Sequence, residues 1–83
     1  MDKTIEQRLK EMMVQRLFMK VGPEQIEDDK SLISHYGVDS LNLLELVVGV
    51  EEEFGIQVGD NEFRVANFES VKALADFVRK RLG

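Results

Sequence analysis

Cysteine is absent from this 83-residue chain, which excludes disulfide staples, thiolate metal sites and a cysteine nucleophile. One histidine, His35, leaves no pair for a zinc site. No apolar run approaches the roughly 20 residues that span a bilayer, and the start, Met1-Asp2-Lys3-Thr4-Ile5-Glu6, has no signal-peptide core. The expectation is a soluble, cytoplasmic chain with no membrane span. Glycine-rich phosphate loops are also missing. At this length the chain reads as a single domain, residues 1–83, whose folding buries only about 60–65% of the unfolded surface.

Basic residues are scarce in one stretch. The net charge is −5, but residues 27–62 hold ten acids against Lys30 alone, while the segments before and after are net positive. An acidic middle repels phosphate backbones, so nucleic acid is excluded as the natural partner and a basic protein surface is favoured.

Hydrophobic spacing is helical over most of the chain. Ile5, Leu9, Met12, Met13 and Leu17 form an amphipathic stripe, widened by Val14 and Phe18, and Gly22-Pro23 marks its end. Residues 22–38 lack periodicity and read as a long ordered loop pinned by Val21, Ile26, Leu32, Ile33, Tyr36 and Val38. A second helix starts near Asp39-Ser40, with Asp39 as N-cap, and runs to about Phe54. Its buried stripe is Leu43, Leu46, Val47, Val50 and Phe54. Leu41, Leu44 and Val48 form a second apolar stripe, beside Glu45, Glu51, Glu52 and Glu53. Gly49 inside this helix costs about 1 kcal/mol relative to alanine, which points to a packing demand or a close approach there. Gly55 caps the helix, and Ile56 and Val58 return to the core. Residues 60–66 read as a short third helix held by Phe63, Ala66 and Phe68. Ser70 caps a last helix with Val71, Leu74, Ala75, Val78 and Leu82 inward and Phe77 flanking them. The expected fold is all-α: a small four-helix bundle, three main helices plus a short third one, with a long loop between helices 1 and 2.

No catalytic set emerges. His35 is a lone histidine beside a tyrosine in a loop, read as exposed or as a packing element rather than as the base of a triad. Glu52 and Glu53 point about 100° apart on a helix and do not form an acid/base couple. The run 51–53 with Asp60 lacks the spacing and turn glycine of an EF-hand loop. What remains is Gly37-Val38-Asp39-Ser40-Leu41, where a long loop meets a helix start. A hydroxyl there sits in a field that favours an anion, although Asp39 opposes a second negative charge. On spacing alone, an ordinary first-turn residue, or the N-cap itself, is the favoured reading of Ser40.

Tyr36-Gly37-Val38-Asp39-Ser40-Leu41, followed by Glu45-Leu46-Val47 and Glu51-Glu52-Glu53-Phe54-Gly55-Ile56, resembles the acyl carrier proteins, from Ile5 to Leu82. The resemblance implies that Ser40 carries a covalent 4′-phosphopantetheine, flanked by Asp39 and Leu41. A phosphopantetheinyl transferase (a holo-carrier synthase) would bring coenzyme A and Mg²⁺, and Ser40 would attack its β-phosphate. It further implies that Leu41, Leu44, Glu45, Val48, Glu51, Glu52 and Asp60 meet partner enzymes, acyl-transferring and ketosynthase-type, through their basic docking patches. The absence of cysteine fits, because the working thiol belongs to the cofactor. A monomeric carrier rather than an enzyme is implied, serving fatty-acid, polyketide or specialised acyl-transfer enzymes. An acyl pocket between helices 2 and 3, lined by some of Leu46, Val47, Val58, Phe63 and Phe68, is a further implication, with simple core filling as the alternative.

The chain departs from the family at Ser34-His35-Tyr36, where acid-acid-Leu is common, and at Asn42, where aspartate is frequent. These departures favour a specialised pathway. Two other readings share many of the same residues. One is a peptidyl or aminoacyl carrier. The other is an unmodified acidic helical binding module whose partner binding persists without any arm.

Overall fold

The computed structural model describes residues 3–83. Four helices follow in order: α1 (Ile5–Leu17), α2 (Ser40–Phe54), α3 (Val65–Phe68) and α4 (Val71–Leu82), with 3₁₀ turns at Pro23–Gln25 and Asp60–Glu62. This is the expected all-helical bundle with a short third helix and a long connection between α1 and α2. None of the described helices is long and apolar enough to cross a membrane.

Side-chain caps set three of the four helix starts, those of α1, α2 and α4. Thr4 Oγ1 accepts the Gln7 N–H at 3.0 Å, Asp39 Oδ1 accepts the Asn42 N–H at 2.9 Å and Ser70 Oγ accepts the Ala73 N–H at 3.1 Å. Each satisfies a backbone donor that helix geometry leaves unpaired, an effect of about 1 kcal/mol. Leu9, Met13, Leu46, Val50, Phe68, Leu74 and Val78 form the centre of one core shared by all four helices.

α1 and α2 run antiparallel. Arg8 reaches Glu53, Met12 faces Gly49 and Arg16 reaches Glu45, so four residues forward on one helix match four back on the other. A methyl group at Gly49 would lie 2.5 Å from Met12 Sδ and 2.7 Å from Arg16 Cδ. This is the close approach that the interior glycine implied.

The end of α1 differs from expectation. It stops at Leu17, and Phe18 takes the left-handed conformation (φ 52°, ψ 45°) with its N–H bonded to the Val14 carbonyl. Phe18 therefore does not widen the buried stripe; it is 88% exposed. No glycine marks this stop, and Gly22-Pro23 instead opens the first 3₁₀ turn.

The long loop is held at many points. Ile26, Leu32 and Val38 are buried, and Val21 and Tyr36 pack beside them. The Leu32 N–H donates to the Glu69 carbonyl at 2.7 Å, the Lys72 N–H to Asp28 at 2.8 Å and the Val38 N–H to Leu32 at 2.9 Å. The Tyr36 hydroxyl accepts the Glu27 N–H at 2.8 Å. Ile33, expected as an anchor, lies exposed.

The segment expected as one helix over 60–66 is two separate turns. Asp60–Glu62 is 3₁₀, Phe63 and Arg64 are non-helical, and α3 follows. Beside the break, Glu62 Oε1 accepts the Gly59 N–H at 2.9 Å and also meets Arg81. Phe63 and Ala66 are exposed, so Phe68 alone of the three expected anchors is buried. In α4, Leu82 is exposed at the terminal turn and Phe77 is buried.

Two predictions follow from this packing. Phe68→Ala should cost about 3–5 kcal/mol in urea unfolding, whereas Phe63→Ala should cost under about 1 kcal/mol; equal losses would contradict the assignment of the core ring. Glu62 is held below the ordinary carboxylate range, first by the Gly59 N–H and then by Arg81. A carboxyl depressed in the folded state stabilises above its unfolded pKa and loses that contribution as pH falls through the folded value. Glu62→Gln should therefore flatten the decline of melting temperature in the acid range below the ordinary glutamate pKa. An unchanged slope would show that this carboxylate is not a contributor.

Candidate functional site

The chain turns outward over three residues. Val38 is 3% exposed, pinned to the Leu32 carbonyl, while Asp39 and Ser40 are exposed. Leu43 is again buried. Ser40 is the first residue of α2, one position after the cap. Its hydroxyl stands where the helix dipole is positive, while the Asp39 carboxylate supplies one local negative charge.

The two-sided character of α2 is real. Leu41, Leu44 and Val48 are 75%, 54% and 41% exposed, on the face away from Leu43, Leu46, Val50 and Phe54. Leu41, Glu45, Val48 and Glu52 lie at steps of four, three and four, so they form one edge on which apolar and acidic groups alternate. Exposed leucines in such a row mark a contact surface more than they do a monomer's outer skin.

The acids divide by environment. Glu51 is half-buried, and its carboxylate accepts the Val58 N–H at 2.8 Å, closing the connection after α2. Asp60 is exposed in the second 3₁₀ turn. Glu45 and Glu52 both meet Arg16 of α1: Nη1 donates to Glu45 Oε1 at 2.8 Å, and Nη2 bonds Glu52. These two carboxylates raise the Arg16 pKa above the ordinary arginine value, Glu45 first and then Glu52. Arg8 bonds the Glu53 carboxylate at 3.0 Å and the Glu53 carbonyl at 2.8 Å, with its guanidinium 4.4 Å from the Phe54 ring. Sequence spacing gave Arg8 and Arg16 no role beyond the polar face of α1. The signal that points to them is Gly49, whose missing side chain opens the space where the Arg16 stem lies.

The residues suggested for an acyl pocket are dispersed by environment. Leu46 and Phe68 are fully buried in the core, Val47 and Val58 are half-buried, and Phe63 is exposed with its ring edge-on to Phe68 at 5.6 Å. A cleft of about 360 Å³ lies elsewhere, between the end of α1 and the loop; Leu17, Val21, His35, Tyr36, Val38 and Asn42 contribute to its lining. His35 is exposed and stacks edge-on against Tyr36 at 4.7 Å, consistent with a packing role.

An exposed helix-start hydroxyl fits a phosphodiester-linked group, since nothing in the fold blocks access to it and the dipole favours the phosphate. A model of the phosphopantetheine attachment site matches residues 7–78. The acyl carrier protein of Buchnera aphidicola subsp. Acyrthosiphon pisum (strain Tuc7) is 38% identical over 79 residues, covering 95% of this chain and 94% of that protein. One structural match is a chain in the crystal structure of engineered Bradyrhizobium japonicum glycine:[carrier protein] ligase complexed with carrier protein from Agrobacterium tumefaciens and AMP. It has a TM-score of 0.80 and 27% identity, covering 89% of this chain and 97% of that one. The solution structure of a holo acyl carrier protein from Nitrosomonas europaea shares the fold, with a TM-score of 0.85 at 21% identity over 96% of this chain and 98% of that one. The chain thus belongs to the phosphopantetheine-attachment family of acyl carrier proteins, and is a carrier of acyl groups on a 4′-phosphopantetheine arm rather than an enzyme.

Proposed function

We propose that Ser40 is the attachment point of the arm and that the outer edge of α2 is the surface partner enzymes read. The observation that supports this best is the exposure of Ser40 at the first position of a capped helix, next to the exposed apolar row Leu41, Leu44 and Val48. In the attachment step the Ser40 oxygen bonds to the β-phosphorus of coenzyme A. The bond from that phosphorus to the bridging oxygen of the nucleotide half breaks, and the serine proton leaves to a base of the transferase. Asp39 orients the transferase and its Mg²⁺, and Leu41 supplies an apolar contact. When bound, the arm provides a thiol that holds the acyl group as a thioester, reactive towards nucleophiles, and raises its effective concentration at a docked enzyme.

Glu45, Glu52 and Asp60 steer basic partner surfaces to this edge, giving fast, weak, salt-sensitive contact. Glu51 contributes negative potential while its carboxylate is held by Val58. The natural partners are a phosphopantetheinyl transferase and acyl-transferring or ketosynthase-type enzymes with basic docking patches. The carrier works as a monomeric, cytoplasmic single domain of residues 1–83, a reading supported by one continuous core. A second reading, aminoacyl cargo, draws on the likeness to a chain crystallised with a glycine:[carrier protein] ligase. Loading by an amino-acid-adenylating enzyme, compared with loading by an acyl-transferring one, separates the two.

Intact-mass measurement tests the attachment point. Incubation with coenzyme A, Mg²⁺ and a broad-specificity transferase should add one phosphopantetheine to the wild type and none to Ser40→Ala; an equal gain in both would sink the assignment. Glu45→Lys combined with Glu52→Lys should slow that modification about tenfold at low salt and largely preserve helical circular dichroism. Unaltered kinetics would remove the steering role.

A further inference from the structure

Arg16 occupies the two carboxylates that a basic partner would use. Its guanidinium spans Glu45 and Glu52, which are seven residues and so about 10 Å apart along α2. The side chain is 29% exposed, partly withdrawn between the helices, and its stem lies over Gly49, where a methyl group would come within 2.7 Å of Cδ. Two independent features thus hold it in place: the paired carboxylates in front and the glycine-floored groove beneath. The planar guanidinium carries donors on separate nitrogens, so it serves both acids at once, which a lysine ammonium does less well.

Arg8 differs. It is fastened to the Glu53 carbonyl as well as its carboxylate and lies against Phe54, so it acts as a structural tie. Arg16 has only the two side-chain carboxylates as hydrogen-bond partners among the described residues. Those acids alternate with Leu41 and Val48, the exposed apolar positions of the same edge.

We infer that Arg16 is a specificity-determining residue of the docking edge: it holds Glu45 and Glu52 in the free protein, and a basic protein surface docks there by displacing it. This rests on the reading of α2 as the partner-facing helix. A partner with a single cation exchanges one ion pair for another and gains little. A partner presenting two cations about two helical turns apart takes both carboxylates together while its apolar groups cover Leu41 and Val48. Arg16 therefore discriminates against weakly basic surfaces without contributing a contact of its own.

The test uses the full chain and a synthetic helical peptide with two arginines seven residues apart, titrated at low salt while the amide signals of residues 45–52 are followed by NMR. Arg16→Ala should bind this peptide about three- to tenfold tighter than the wild type. Lys80→Ala, which makes the same change in net charge at the far end of α4, should stay within about twofold. A peptide with one arginine should gain proportionately more from Arg16→Ala than the two-arginine peptide does, and both gains should vanish at about 0.5 M salt. Arg16→Lys should fall between wild type and alanine, and decides the matter against Lys80→Ala if the alanine variant loses helical signal. Affinity in the Arg16 variants no higher than in Lys80→Ala would overturn the inference. The titration needs no modification of Ser40, so its outcome is separate from that of the mass measurement.

Discussion

At position 49 the absence of a side chain lets two helices touch. A single methyl group there would collide with Met12 Sδ and with the stem of Arg16, and both side chains would have to move. The place that Arg16 takes on the outer face depends on that space. The antiparallel register carries Arg8 and Arg16 onto the acids of α2. Glycine in a helix interior is unfavourable by about 1 kcal/mol, and here the cost is offset by helix packing and by the arginine groove.

A second constraint fixes where α2 begins. Val38 is buried and Ser40 is exposed, so the backbone passes from core to surface within two residues, and the Asp39 cap completes the turn. The loop before it is long yet tied to the core by Ile26, Leu32 and Val38 and to the α3–α4 junction by backbone hydrogen bonds. The outer face of α2 thus combines a capped helix start with an edge whose acids are partly neutralised from within.

Much of this could be read from residue order. Periodicity located α1, α2 and α4, and the caps at Asp39 and Ser70 fall where short polar side chains precede apolar repeats. Gly55 ended α2 because glycine adopts positive φ without strain. The missed features have different origins. Phe18 ends α1 in a left-handed conformation that phenylalanine does not favour locally, so nothing in its neighbours announced it. Beside the break between residues 62 and 65, Glu62 bonds Gly59 and Arg81, the latter nineteen positions away. On the outer edge of α2 the exposed leucines and the acids were legible, because a helix with two apolar stripes needs something to meet the second. The pairing of Arg16 with Glu45 and Glu52 was not, since it exists only once α1 and α2 are laid side by side.

The backbone bonds that fasten the loop have a mechanical consequence. Val38, two residues before Ser40, hangs from Leu32, and Leu32 hangs in turn from Glu69 at the α3–α4 junction. The backbone just before Ser40 is therefore fastened to the fold by bonds at both steps. On the proposed attachment at Ser40, reach and sweep come from the bonds of the arm itself.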